Sequence, residues 1–303
     1  MQFGIRGRVC ATLTDIRNGN QCVFDEKNII LNDFLNHWFT SATALFSPQT
    51  IYGCYVGTSD APPRPDDEGL CGVVLAFNAN GSDLAETPNV YTNYGESQPQ
   101  YESYIPHIVY AKRWVFAAGM GTGFVKETAI RSQDGYWVAR RPIIPHFYKS
   151  EYHVLTVDWY LYLTNHTLKS ETFYAGMRGE TIRFEFTQND YQLYRLCTGE
   201  QGVWFGYTGT PVIVAGTSNS KEFPLNNGIQ GEFIPCDQVA VSVEPYIANS
   251  LERRFVFHFS DTDLPEPVGE IVLQDFGRLT FDPPLVKSSN ASLTLTITMS
   301  LVR

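Results

Sequence analysis

Charge is scarce in this sequence. Only 18% of its 303 residues are Asp, Glu, Lys or Arg, and acids outnumber bases 32 to 22, leaving a net charge of −10. That balance disfavours nucleic acid or an anionic membrane as the main partner. No apolar run approaches the roughly 18 residues that a spanning helix needs, so no membrane insertion is expected. The first residues, Met-Gln-Phe-Gly-Ile-Arg-Gly-Arg, lack the basic-then-apolar layout of a signal peptide, and the product is expected to be assembled in a cytosol. The six cysteines (10, 22, 54, 71, 197 and 236) form no CxxC and read as reduced, mostly buried apolar residues; a Cys10–Cys22 bridge across the first hairpin is the one disulfide left open. The histidines (37, 107, 146, 153, 166 and 258) make no HxH or HExxH pattern, and there is no Gly-x-Ser-x-Gly, P-loop or Rossmann signature. Gly119-Met-Gly-Thr-Gly123 joins two strands and opens no helix, so it nominates no phosphate site. Asp261-Thr-Asp263 with Glu266 offers oxygen ligands without the spacing of a calcium loop, and reads as a solvated turn, as does Asp66-Asp67-Glu68. The sequence therefore nominates no cofactor, no metal and no catalytic residue.

What is present is a repeat. Lys112 to Leu163 is echoed from Arg253 to Arg303: Lys-Arg-Trp-Val-Phe (112–116) answers to Arg-Arg-Phe-Val-Phe (253–257), a displacement of 141 positions from Trp114 to Phe255. Val125-Lys-Glu-Thr-Ala-Ile130 answers to Val268-Gly-Glu-Ile-Val-Leu273, placing Glu127 beside Glu270. Arg140-Arg-Pro142 falls beside Phe281-Asp-Pro283, and Leu155, Val157, Trp159 and Leu161 fall on Leu295, Ile297, Met299 and Leu301. Tyr55-Val-Gly-Thr58 has a looser echo in Tyr207-Thr-Gly-Thr210. A long fixed period means one folding unit used twice. What recurs is apolar alternation and turn chemistry, with no nucleophile or ligand set.

The length suits two domains, and 17 Tyr with 20 Phe lean toward β-structure and contact surfaces. Arg8 to Thr14 alternates, Asn18-Gly19 signals a two-residue turn, and Gln21 to Phe24 returns. Leu31, Phe34, Leu35, Trp38 and Phe39 form one stripe of a short helix that Asn32 can cap. Strands are expected at 51–56, 111–116, 124–131, 136–140 and 153–163, with Asp134-Gly135 turning the third into the fourth. Pro106 and Pro145 are expected beside strands rather than within them. Later strands are expected at 181–186, 192–197, 203–207, 211–214 and 238–243. The predicted class is mainly β: two tandem antiparallel β-sandwich modules, 1–173 and 174–303, with one short helix in the first. Residues 78–107 show neither helical nor strand period. Tyr91, Tyr94, Tyr101 and Tyr104 stand there among Asn, Ser and Gly, a composition that suits an adaptable contact as well as a surface excursion.

The order of short motifs in residues 5–165 resembles a recurrent module of tailed-bacteriophage virion proteins. It comprises Asn28-Ile-Ile-Leu31 before a short helix, Val56-Gly-Thr-Ser59, then a Pro/Asp loop and Leu70. Phe116-Ala-Ala-Gly119, Val125-Lys-Glu-Thr-Ala-Ile130, Ala139-Arg140 before a proline and a long alternating strand (154–163) complete it. The resemblance implies a non-enzymatic part of a phage particle, assembled in the host bacterial cytoplasm: a collar, fibre-attachment or tail-tip component working as a homo-oligomer. Its partners would be copies of itself and other virion proteins, with contact to a host surface as a further role. The alternatives are a capsid decoration protein and a receptor- or glycan-binding adhesin. A polysaccharide-degrading enzyme needs two carboxylates about 5 to 9.5 Å apart in a groove, and the sequence nominates no such pair.

The best candidate for a chemical residue is Glu127. With Asp134-Gly135 as the turn, Ala129 faces Arg140 and Glu127 lies diagonally beside it on the same face, which favours a structural ion pair. On the repeat alignment Arg140 becomes Phe281, so the pair itself is not expected to recur.

Overall fold

The computed structural model describes residues 2–41, 50–84, 107–165, 170–177, 180–187, 213–217, 232–234, 236, 239–273 and 276–303. Within them the protein is mainly β, with eighteen strands and one helix. The chain forms two compact units. One comprises residues 3–164 with 247–251 and 301–303; the other comprises 165–246 and 252–300 with the first two residues.

In the first of these units the elements are β1 (Gln2–Asp15), β2 (Gln21–Ile30), α1 (Asn32–Thr40), β3 (Gly53–Gly57), β4 (Val74–Asn78), β5 (Ser82–Asp83), β6 (His107–Phe116), β7 (Gly123–Arg131), β8 (Trp137–Lys149) and β9 (His153–Asn165). One sheet runs β2-β1-β9-β6-β5 and a second runs β8-β7-β3-β4. Strand β2 serves both, pairing with β1 over 21–28 and then with β8 through Ile29 and Ile30. The alternation of β1 and β9 buries Val9, Ala11, Leu13, Val157, Trp159 and Leu161 and leaves Arg6, Arg8 and Thr156 outward, the period-2 pattern of a sheet with one dry face. Cys54 of β3 reaches Trp159 of β9, so the dry faces of the two sheets meet in a sandwich-like core, and burial pushes the Cys54 thiol up to about 12.

In the other unit β10 (Ser170–Met177), β11 (Glu180–Thr187), β12 (Ile213–Gly216), β13 (Phe233–Ile234), β16 (Val268–Leu273) and β17 (Gly277–Leu285) make a sheet in the order β10-β11-β17-β16-β12-β13. Alongside it β14 (Ala240–Val243), β15 (Glu252–Phe259) and β18 (Leu293–Val302) pair in that order. Each pairing has a counterpart in the unit described first. Trp114 faces Val157 as Phe255 faces Ile297, and Phe116 faces Leu155 as Phe257 faces Leu295. Strand β7 pairs with β8 and β3, as β16 pairs with β17 and β12. The hairpin β1–β2 docks on β8 as β10–β11 docks on β17. One difference is that β1 also pairs with β9, whereas no pairing of β10 with β18 is found among the described residues.

Several expectations are corrected. The first turn is longer than two residues: Asp15 pairs with Asn20 through its backbone N–H, and its carboxylate takes the Arg17 N–H and guanidinium, closing the loop from inside. Leu31, not Asn32, stands at the helix N-cap, and no side chain caps it. Strand β6 starts at His107, and β5 falls within the segment from 78 whose sequence shows no strand period. Pro145 lies within β8: between the pairs Val125–Phe147 and Glu127–Pro142, β8 carries four residues against the single Lys126, so the proline sits in a bulge where no ladder N–H is required. Residues 281–284 stand in the same way against Gly269, and both bulges hold a cis X-Pro bond, at Pro145 and Pro283. Cys10 and Cys22 are both free. They pair with Asp25 and Leu13 respectively, and since Cys10 and Leu13 are an odd number of residues apart on β1, the two cysteines fall on opposite faces of the sheet. Cys54 and Cys236 are buried, but Cys22 and Cys71 are exposed. Tyr91, Tyr94, Tyr101, Tyr104, the strands expected at 192–197 and 203–207, and the echo at 207–210 lie outside the described residues.

The core registers give a direct stability expectation. Phe255 is fully buried and meets Phe276 edge-on with ring centroids 5.0 Å apart. Phe255→Ala should cost about 3–5 kcal/mol, whereas Val115→Ala, at an outward position of the corresponding strand, should cost within about 0.5 kcal/mol. Urea unfolding of the two variants against the parent checks this; similar costs would mean that the alternation has been assigned to the wrong faces.

Candidate functional site

The neighbourhood of Glu127 is built by the bulge. The register shift after Val125 leaves Lys126 over and brings Glu127 opposite Pro142 on one side and Gly57 on the other. Ala129 faces Arg140. The Arg140 Nε donates to Glu127 Oε2 at 2.8 Å, and both side chains are fully buried. The carboxylate also accepts three backbone N–H groups, from Ser59 at 3.1 Å, Cys71 at 3.1 Å and Gly72 at 2.8 Å. Arg140 donates further to Asp67 Oδ2 at 2.7 Å and to the Ala61 carbonyl at 3.0 Å, and Asp67 takes the Arg64 N–H at 2.9 Å. A single ion pair thus pins both ends and the middle of the loop 58–72 onto the sheet. Burial alone would lower the Arg140 pKa, but Glu127 and Asp67 outweigh it and hold the guanidinium above its ordinary value.

Two glycines make room. A Cβ at Gly57 would stand 2.9 Å from Glu127 Oε1, and one at Gly72 would stand 2.5 Å from the Ser59 N. Thr58 Oγ1 closes the loop mouth by accepting the Val73 N–H at 3.0 Å. The loop in turn reaches the helix: Asn32 N donates to the Pro65 carbonyl and its side-chain amide bonds Asp66, while Asp33 accepts the Trp137 N–H. Asn32 is therefore a loop anchor.

The ion pair recurs in the other unit, which overturns the alignment of Arg140 with Phe281. Eleven positions separate Ala129 from its partner Arg140, but only six separate Val272 from its partner Arg278. The second hairpin is shorter, so Arg278 takes the place of Arg140. Its Nη2 lies 2.5 Å from Glu270 Oε2, and both groups are buried. Glu270 also pairs with Gly216, as Glu127 pairs with Gly57, and Thr217 Oγ1 accepts the Glu232 N–H at 3.0 Å, the bond Thr58 makes. On the ladder, the counterpart of Tyr55-Val-Gly-Thr58 is Val214-Ala-Gly-Thr217.

A second buried cation escaped the sequence reading. Lys149 is buried and donates to the Ala117 carbonyl at 2.7 Å; Lys287, at the corresponding position two residues past the end of β17, donates to the Asp261 and Ala291 carbonyls at 2.8 Å each. The signal was available as Pro145-His-Phe-Tyr-Lys149 against Pro283-Pro-Leu-Val-Lys287. In the Asp261–Glu266 turn, Asp263 accepts the Ser260 N–H at 2.7 Å and its hydroxyl at 2.8 Å, and so caps its own turn. Among the described residues no three metal-ligating side chains cluster.

Chemically, the Glu127 cluster is closed. A second carboxylate, Asp67, does share Arg140, yet Glu127 is fully buried and both its oxygens are occupied by protein donors. The arrangement orders backbone. Compared with known protein families, with curated proteins and with solved structures, the chain matches none.

Because the pair is buried, its removal should not be tolerated quietly. Arg140→Met leaves Glu127 buried without its cation and should cost about 3–5 kcal/mol, with part recovered in Glu127→Gln/Arg140→Met. Urea unfolding, with hydrogen exchange over 58–72, reads both effects. An unchanged loop in Arg140→Met would remove the ion pair's role.

Burial lowers the Lys149 pKa. The folded chain then binds fewer protons than the unfolded one across the interval up to the ordinary lysine value of about 10.4, so stability rises with pH there. Any advantage of Lys149→Met over the parent should be largest at neutral pH and shrink as pH rises through that interval. Unfolding midpoints of both proteins across it test the sign.

Proposed function

We propose that this chain is a non-enzymatic structural component of a tailed-phage particle, built from two copies of one β module and stationed in the tail as a collar, fibre-attachment or tail-tip protein. The observation that carries the reading is what the motif residues do. Gly57, Thr58, Ser59, the Pro/Asp loop, Glu127 and Arg140, whose order resembles the virion module, converge on one buried ion pair that fastens a loop to a sheet. Every polar atom they supply to that cluster is spent on scaffold. A rigid block whose loops are tied down from within suits repeated subunit contacts in a symmetric oligomer, and the recurrence of the pair at Glu270 and Arg278 supports the module's use twice.

The test is gold labelling of particles with antibody raised against the purified chain, together with its mass in solution. Label at the tail and a mass of several chains are the expected results. Label over the capsid surface would favour a decoration role, and particles without label would end the proposal.

A further inference from the structure

The charged side chains buried among the described residues have partners, with one exception. Arg140 and Arg278 meet carboxylates, Lys149 and Lys287 donate to carbonyls, and Asp15, Asp158 and Asp263 accept from Arg17, Arg113 and Ser260. The exception is Arg253 of β15. It is only 8% exposed, its Nε is buried without a hydrogen-bond partner, and no carboxylate among the described residues reaches its guanidinium. Burial lowers its pKa with nothing set against that, whereas Glu127 and Asp67 hold the pKa of Arg140 up. A buried cation without a counter-charge is costly, and in a native fold it calls for a partner.

The repeat shows which partner. Arg253 faces Met299 on β18 as Lys112 faces Trp159 on β9. On its other side Lys112 faces Asp83 of β5, whose carboxylate lies 3.8 Å from the ammonium. The corresponding ladder of β14 and β15 runs past Val243–Phe255 to the Glu244 N–H, which donates to the Arg254 carbonyl at 3.0 Å. One step further, the residue opposite Arg253 is Pro245. Residues directly across a ladder share a face, so one unit sets an acid against its cation where the other sets a ring that can neither charge nor accept.

We infer that Arg253 is the binding site for a carboxylate supplied from outside this strand pair, seated as the Asp83 carboxylate sits against Lys112. The change from lysine to arginine fits that role. A guanidinium fork grips a carboxylate through two parallel N–H bonds, while an ammonium acts as a point charge. Pro245 is exposed, which leaves the approach on its side open to solvent. The nearest acids along the ladder, Glu244 and Glu252, project to the opposite face by strand alternation and do not guard the site.

Thermal unfolding of the full chain in sodium acetate, against sodium chloride at equal ionic strength, tests this. A ligand of the folded chain raises the midpoint as its concentration rises. The general effect of acetate on apolar burial acts on every variant alike, so the variants decide. Arg253→Met should abolish the acetate-specific rise. Pro245→Asp keeps the guanidinium and supplies an acid at the position of Asp83; it should weaken the apparent acetate affinity about tenfold or more. Circular dichroism checks that both variants fold. An Asp tripeptide blocked at both ends, used in place of acetate, separates the sources. A response to acetate as strong as to the peptide means a free carboxylate ion, and a tighter response to the peptide means an acidic side chain; either supports the site. A parent that answers neither probe more than Arg253→Met does, or a Pro245→Asp chain that binds them as tightly as the parent, would overturn the inference. Inorganic phosphate bound in preference to both would overturn carboxylate as the ligand.

Discussion

A carboxylate and a guanidinium taken wholly out of water cost several kcal/mol each in lost hydration, and their mutual attraction offsets this only if nearly every remaining donor and acceptor is also satisfied. The Glu127–Arg140 pair meets that condition by recruiting backbone. Three N–H groups of the loop 58–72 converge on the carboxylate, while a loop carbonyl and Asp67 converge on the guanidinium. The requirement runs both ways. The pair is bearable only with the loop in place, and the loop, rich in proline and acids, has little apolar surface of its own with which to hold a shape. Through Pro65 and Asp66 the same loop receives Asn32, so the start of α1 depends on the pair at one remove.

The bulge is the geometric partner of the ion pair. A regular strand would send Val125 and Glu127 to the same face. Leaving one residue of β7 against four of β8 re-aims Glu127 under the loop while Val125 stays in the core beside Phe147. The unit with Glu270 has the same count of residues at the same place, the same glycine beside the carboxylate and the same threonine at the loop mouth. Between these anchors the residues differ, since Lys126 corresponds to Gly269 and His146 to Pro284. What is shared is where a backbone must bend and where a charge must be covered.

Much of the β architecture was legible from alternation, because a dry face imposes a period of two on β1, β6, β9, β15 and β18. The placing of Arg140 opposite Ala129 followed from a single turn, Asp134-Gly135, and strand geometry. The failures have a common physical origin. An alignment by residue type keeps prolines together and cannot see that a hairpin tip has shortened; only the ladder reveals that Arg278, not Phe281, faces the carboxylate. Lys149 was passed over because an inward lysine contradicts the alternation unless a carbonyl is waiting for its ammonium, and that carbonyl belongs to a loop thirty-two residues away. The cap expected of Asn32 failed for a similar reason, its amide being claimed by a distant aspartate.

The hairpin tips differ in length while the bases of the hairpins do not. From Ala129 to Arg140 and from Val272 to Arg278 the spans are unequal, yet the carboxylate and guanidinium meet in both. The ion pair is thus indifferent to the length of the tip above it, while the tip in this unit keeps ties of its own: Arg131 to the Gly135 carbonyl, the Ser132–Tyr136 backbone bond, and Tyr136 stacked on His37 of α1. For a protein engineer that makes this turn a natural socket, where a foreign epitope or tag can be spliced with the sheet below acting as a rigid mount.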